Sequence, residues 1–202
     1  MDRTELLILI LSIALLLRLV WEAVRARRDR KALSHVIYVN GTRGKSTVTR
    51  MIAAGLTAGG HRVLTKTTGT LPIAIHPDGS QEVIERKAPA NIREQLTYLH
   101  KAAQEKADTL VIECMALQPE YQRVSGRNML RADVGVITNA RLDHMDVMGD
   151  TREEILDCLM EMLPENGLIF TAERDFPQQL AAPSVQAARL PQPFKQLVLL
   201  WI

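Results

Sequence analysis

The chain has 202 residues, 47% of them apolar and 24% charged, with a net charge of +2. That is enough for one ordinary core, and the charge balance excludes a general nucleic-acid binder. Two cysteines, Cys114 and Cys158, are too few and too far apart for a disulfide framework or a zinc knuckle, so a reduced, cytosolic setting fits them best.

Leu6–Leu17 is an apolar run interrupted only by Ser12. Twelve residues are short for a membrane span, but Leu6 to Val24 as a helix covers roughly 28 Å, near the thickness of a bilayer core. Trp21 would anchor at one interface and Arg18 would snorkel to it. Arg25, Arg27, Arg28, Arg30 and Lys31 follow the run, while only Arg3 precedes it, beside Asp2 and Glu5. This asymmetry predicts a single-pass anchor over residues 1–24, N-terminus outside, with a basic juxtamembrane linker at 25–34 and the rest in the cytoplasm. A secretory signal would carry its charge ahead of the apolar run, and a surface helix would not be apolar all round.

Strands then alternate with helical patterns. His35–Val39 reads as a strand and residues 44–58 as a helix closed by Gly59-Gly60. Arg62–Lys66 reads as a second strand, and 73–75 with 82–84 as a hairpin around Pro77-Asp78-Gly79. Residues 91–106 carry apolar Ile92, Leu96, Leu99 and Ala103 at helical spacing. Thr109–Ile112 and Val134–Thr138 read as buried strands. Thr151 caps a helix over 152–162, and a last strand starts at Gly167. The fold class is α/β: a P-loop-containing parallel sheet with helices on both faces, filling residues 35–171. The 172–202 tail ends abruptly in six apolar residues, 197–202, and reads as a domain stopped midway.

Gly41-Thr42-Arg43-Gly44-Lys45-Ser46-Thr47 lies between the first strand and its helix. Such a loop lets backbone N–H groups and a helix N-terminus surround a phosphate, a lysine neutralise it, and a hydroxyl hold Mg²⁺. The bland alternative is a chance glycine turn capping a helix. In open α/β sheets ligands sit beyond the carboxyl ends of the strands. Glu113 follows one strand end there, and Asn139 with Asp143-His144-Met145-Asp146 follows another. If these strands neighbour the first, Ser46, Glu113 and His144 converge where a nucleotide-bound Mg²⁺ needs ligands. Taken singly, Glu113 also reads as a loop-facing charge and His144 as a surface histidine. Cys114, Met145 and Met148 read as packing residues.

Gly41–Ser46 resembles the P-loop of the Mur ligase family, G-T-x-G-K-[ST], and Thr138–Asp146 resembles its T-N-x-x-x-D-H-x-D signature. Asn40–Arg50, Lys66–Thr70, Ile112–Ala116 and Asp143–Gly149 further resemble the branch of that family that builds poly-γ-glutamate capsules, over about residues 4 to 171. The resemblance implies an ATP-dependent amide ligase that phosphorylates the end of a glutamate chain and joins the next glutamate to it. It implies Lys45 on the β/γ-phosphates, Ser46 on Mg²⁺, Glu113 and His144 completing the metal sites, and Asn139 near the nucleotide. It also implies a polytopic membrane subunit and an export subunit as partners. Arg86 and Lys87 read either as docking charges for the polyanion or as a solvated pair.

Two departures stand out. The family's second-metal lysine, about fifteen residues after the histidine, has no counterpart, because no lysine lies between Lys106 and Lys195. The family's closing C-terminal domain has none either, so a fragment unable to make polymer alone is expected. A membrane-tethered P-loop ATPase or kinase, and a non-catalytic nucleotide-binding subunit, are the competing readings.

Overall fold

A computed structural model of the chain describes residues 2–86, 89–163, 168–173 and 175. Lys87 and the apolar ending at 197–202 lie outside the described residues, as does most of the tail.

Helix α1 spans Arg3–Ala32 and opens with a capping box in which Asp2 and Glu5 satisfy each other's backbone N–H groups. The basic stretch read as a linker is therefore the last part of this one helix, since nothing between Val24 and Ala32 breaks it. It is also docked. Arg93 pairs with Glu22 at 2.5 Å, His100 with Asp29 at 2.8 Å, and Arg30 with Asp133 at 2.5 Å. Upstream of these contacts the large apolar side chains from Leu6 to Val20 are all exposed. α1 is long and apolar enough to cross a membrane.

The remaining strands are β1 (His35–Asn40), β2 (Val63–Lys66), β3 (Ile73–Ile75), β4 (Gln81–Val83), β5 (Thr109–Glu113), β6 (Val134–Ile137) and β7 (Leu168–Thr171). They form one sheet in the order β4-β3-β2-β5-β1-β6-β7. The five strands from β2 to β7 in that order are parallel, as the strand–helix alternation requires. The expected hairpin extends this sheet antiparallel from β2, which makes it mixed.

Helices α2 (Lys45–Ala58), α3 (Glu94–Gln104) and α6 (Arg152–Met160) cover the two faces. Side-chain alternation along β1 divides the core. Ile37 and Val39 join Ala53 and Leu56 of α2, while Val36 and Tyr38 join Leu99 of α3 and Ile155 and Leu159 of α6. β1 and β5 are buried almost throughout, which is why they read as continuous apolar runs.

The sequence pattern did not disclose two helical pieces, α4 (Pro119–Arg123) and α5 (Met145–Met148), nor a π-helical segment over Val124–Leu130. α4 and α5 are too short for a helical period to register. The π segment exists where the chain passes tightly over the end of α6. A Cβ on Gly126 would stand 2.3 Å from the Met162 carbonyl oxygen, so only glycine fits.

Candidate nucleotide-binding site

Register aligns the carboxyl ends of three neighbouring strands. Val39 lies opposite Glu113 on one side and Val136 on the other. The loop after β1, the end of β5 and the loop after β6 therefore meet at one edge, where the sequence had placed the chemistry.

The P-loop is built for an anion. Gly44, the N-cap of α2, is left-handed (φ 79°) and has no side chain to satisfy the first-turn amides. Those N–H groups have no intrahelical acceptor, and the helix dipole adds positive potential there. Lys45 curls over the loop, its Nζ donating to the carbonyl oxygens of Gly41 at 2.7 Å and Thr42 at 3.5 Å.

Asn139 acts on this loop as a clamp. Its Oδ1 accepts from Thr42 Oγ1 at 2.7 Å and from the Arg43 N–H at 3.2 Å, while its Nδ2 donates to the Arg43 carbonyl at 3.0 Å. Thr138 Oγ1 donates to the same carbonyl at 2.8 Å. The Thr-Asn pair after β6 thus holds Thr42 and Arg43 in shape.

Ser46 and Glu113 meet directly. Ser46 Oγ donates to Glu113 Oε2 at 2.8 Å, and the same oxygen accepts from the Thr68 N–H at 2.8 Å. Glu113 is only 2% exposed, so it is not a loop-facing charge. A serine hydroxyl beside a buried carboxylate is a pair of hard oxygen ligands suited to Mg²⁺. The loop after β2 closes over them, with Gly69 so near that a Cβ there would lie 2.9 Å from Ser46 Oγ.

His144 is placed differently. It caps α5 in a left-handed conformation (φ 49°, ψ 44°), about half exposed, with Nε2 4.0 Å from Asp143. Strain of this kind in a non-glycine residue collects at functional sites. Asp143, the neighbour of His144, does reach the P-loop, its Oδ2 pairing with Arg43 Nε at 3.1 Å. Among the described residues no three of His, Cys, Asp and Glu stand together as an ion cage.

Beneath the site lies a buried polar layer that sequence reasoning missed. Lys66 is fully buried at the end of β2 and pairs with Glu94 Oε1 at 2.7 Å; Arg86 donates to both oxygens of that carboxylate, at 2.8 and 3.0 Å. Arg86 is thereby committed to an internal ion pair. Burial pulls the Lys66 ammonium below the ordinary lysine pKa, against the opposing pull of Glu94. For Glu94, burial pushes upward, but hydrogen bonds from Arg86 and Lys66 outweigh it and hold its pKa below the usual carboxylate value. Burial also raises the Cys114 thiol, which keeps it protonated and inert, as its setting in the sequence suggested.

The family model described as the Mur ligase middle domain matches residues 39–186. The chain belongs to the Mur ligase family. It is 37% identical over 169 residues to the capsule biosynthesis protein CapB of Bacillus anthracis, covering 83% of this chain and 36% of that protein. It is 36% identical over 172 residues to the PGA synthase CapB of Bacillus subtilis, covering 84% of this chain and 44% of that protein. The chain thus spans less than half the length of these relatives. Among solved structures, its fold is similar to E. coli FolC in complex with ADP (TM-score 0.60, 22% identity, 84% of this chain and 46% of that one). It is similar also to a bifunctional folylpolyglutamate synthase/dihydrofolate synthase with Mn, AMPPNP and L-glutamate bound (TM-score 0.57, 23% identity, 79% of this chain and 43% of that one).

Proposed function

We propose that this chain is the nucleotide-binding part of an ATP-dependent amide ligase that extends poly-γ-glutamate. The observation that carries the reading is the Ser46–Glu113 contact at the head of the P-loop helix. It supplies a site for a nucleotide-bound cation in a chain that resembles capsule ligases over most of its length.

The first-turn amides of α2 and the Lys45 ammonium would hold the β/γ-phosphates, with Asn139 and Thr138 keeping the loop in shape. Ser46 and Glu113 would hold Mg²⁺, whose contribution is to neutralise phosphate charge. A carboxylate oxygen at the end of the glutamate chain attacks the γ-phosphorus, and the bond from that phosphorus to the ADP oxygen breaks. The amine of the incoming glutamate then attacks the acyl carbon. An amide bond forms, phosphate leaves with the bonding pair, and the amine loses a proton to solvent or a nearby base. The residues placed here assist by positioning and by offsetting charge, which is most of what phosphoryl transfer requires.

The test is ATP-dependent incorporation of labelled glutamate into polymer by membranes from the source cells. Replacing the native gene with a Lys45→Ala copy is expected to abolish it. Undiminished incorporation would overturn the ligase reading. ADP release unaffected by glutamate would favour a P-loop ATPase or kinase, and nucleotide binding with no turnover a scaffolding subunit.

The same reading has α1 crossing the membrane with its N-terminus outside and the sheet domain in the cytoplasm. The exposed apolar surface from Leu6 to Val20 and the basic residues after it support this orientation. Carbonate washing is expected to leave the chain in the membrane, and a C-terminally fused reporter active only in the cytoplasm to give signal. Release by carbonate would remove the span, and signal only from an external reporter would reverse its orientation.

A further inference from the structure

Among the described residues Lys66 is the most deeply buried charged side chain, and nothing in the phosphate-binding scheme above uses it. It is fully shielded from solvent, its ammonium held by Glu94 at 2.7 Å, by Gln95 Oε1 at 3.0 Å and by Met115 Sδ at 3.6 Å, 5.6 Å from the centre of the Tyr98 ring. An apolar side chain of similar length would fill the space without desolvating a charge, so packing alone does not account for a cation there.

Its partners lead to Glu113. Gln95, also fully buried, takes the ammonium on its Oε1 and with its Nε2 donates to the Glu113 carbonyl at 3.0 Å. From the other side, Lys66 ends β2 two residues before Thr68, whose N–H binds the Glu113 carboxylate. Both the main chain of Glu113 and the donor to its carboxylate are therefore fastened to one buried ammonium. Lys66 side chain and Glu113 carboxylate lie on opposite faces of the sheet: Leu64, whose side chain points the same way as that of Lys66, packs with the α3 layer, while Glu113 meets Ser46 on the α2 side.

We propose that Lys66 is a positioning residue for the cation site: through Gln95 and the Thr67–Gly69 turn it fixes where the Glu113 carboxylate stands relative to Ser46. It touches neither nucleotide nor metal. Supporting groups of this kind govern the affinity of the ion whose ligands they orient.

The role presupposes the nucleotide-binding reading, so ATP affinity of the full chain in detergent is measured with and without Mg²⁺. For Lys66→Met, affinity with Mg²⁺ is expected to fall about tenfold, while metal-free affinity stays within about twofold of wild type. In a Glu113→Gln background, Lys66→Met is expected to add nothing, because the ligand it orients is already lost. Equal losses with and without Mg²⁺, wild-type affinity in both, or full additivity with Glu113→Gln would each overturn the proposal. Should Lys66→Met fail to fold, Gln95→Met cuts the link to Glu113 while leaving the Lys66–Glu94 pair, and the same Mg²⁺-selective loss is expected. Mg²⁺-dependent binding in Gln95→Met equal to wild type would overturn it. A wild-type chain that binds no ATP at all would instead remove the nucleotide reading and this role with it.

Discussion

Lys45→Ala is expected to lower ATP affinity on the order of a hundredfold or more, while the melting temperature stays within a few degrees of wild type. Two effects combine. A charge-assisted contact to phosphate contributes about 1.5–3 kcal/mol, and a lysine between two phosphates makes more than one. The second effect comes from the loop itself: Nζ caps the carbonyl oxygens of Gly41 and Thr42, and without it those oxygens turn their negative ends toward an incoming anion. Stability is spared because Lys45 is half-buried at the loop and absent from either hydrophobic cluster. Lys45→Arg is expected to fail too, since a planar guanidinium does not fit the space of a compact ammonium. Calorimetric titration of ATP against the full chain decides the matter. The whole chain is needed because residues 22–30 of α1 contact the sheet domain. Wild-type affinity in Lys45→Ala would sink the P-loop assignment.

The parts of this molecule legible in the sequence are those whose physics is local. A buried parallel strand between loops has to be an apolar run, so β1, β5 and β6 appear at or within a residue of their expected limits. Thr151 followed by Glu154 spells a capping box, and both halves of that box form. The glycine loop and the residues after the strand ends were legible because the topology of an α/β sheet brings such ends together. What escaped depends on contacts between distant segments. The Lys66–Glu94–Gln95 layer joins β2 to α3 across nearly thirty residues, and in the sequence Lys66 reads as the polar end of a strand and the start of a family-like stretch, with no sign of its buried partners. Asn139 could be placed at the strand end beside the glycine loop, but not as that loop's clamp, since the clamp depends on hydrogen bonds to residues some 96 positions away. Likewise the basic stretch after Val24 shows its charge pattern in the sequence, yet its docking on α3 depends on Arg25 and Asp29 meeting His100, more than seventy positions away.

Gly41→Ala is expected to destabilise the fold and to remove nucleotide binding, whereas Gly44→Ala three residues on is expected to do much less. Both glycines have positive φ, 132° at Gly41 and 79° at Gly44. For Gly44 a Cβ meets nothing within 4 Å, so the cost is the left-handed backbone alone, about 1–2 kcal/mol. For Gly41 a Cβ would lie 2.0 Å from Thr138 Oγ1 and 3.0 and 3.1 Å from the backbone nitrogens of Thr138 and Asn139. Backbone strain of about 1–3 kcal/mol is then joined by overpacking of similar size. One neighbour that must give way, Thr138 Oγ1, itself bonds the Arg43 carbonyl, and another, the Asn139 backbone nitrogen, belongs to the residue whose side chain clamps Arg43. Displacing them releases the loop, so binding should fail even at temperatures where Gly41→Ala is still folded. Thermal unfolding and ATP titration of both variants, alongside Gly41→Ala combined with Thr138→Ala, separate the causes. Removing Oγ1 relieves the 2.0 Å contact but leaves the two backbone contacts and the strain, so the double variant is expected to regain part of the lost stability and little of the affinity. A Gly41→Ala chain that melts and binds ATP like wild type would mean that the loop after β1 is not held as described, and the clamp by Thr138 and Asn139 would go with it.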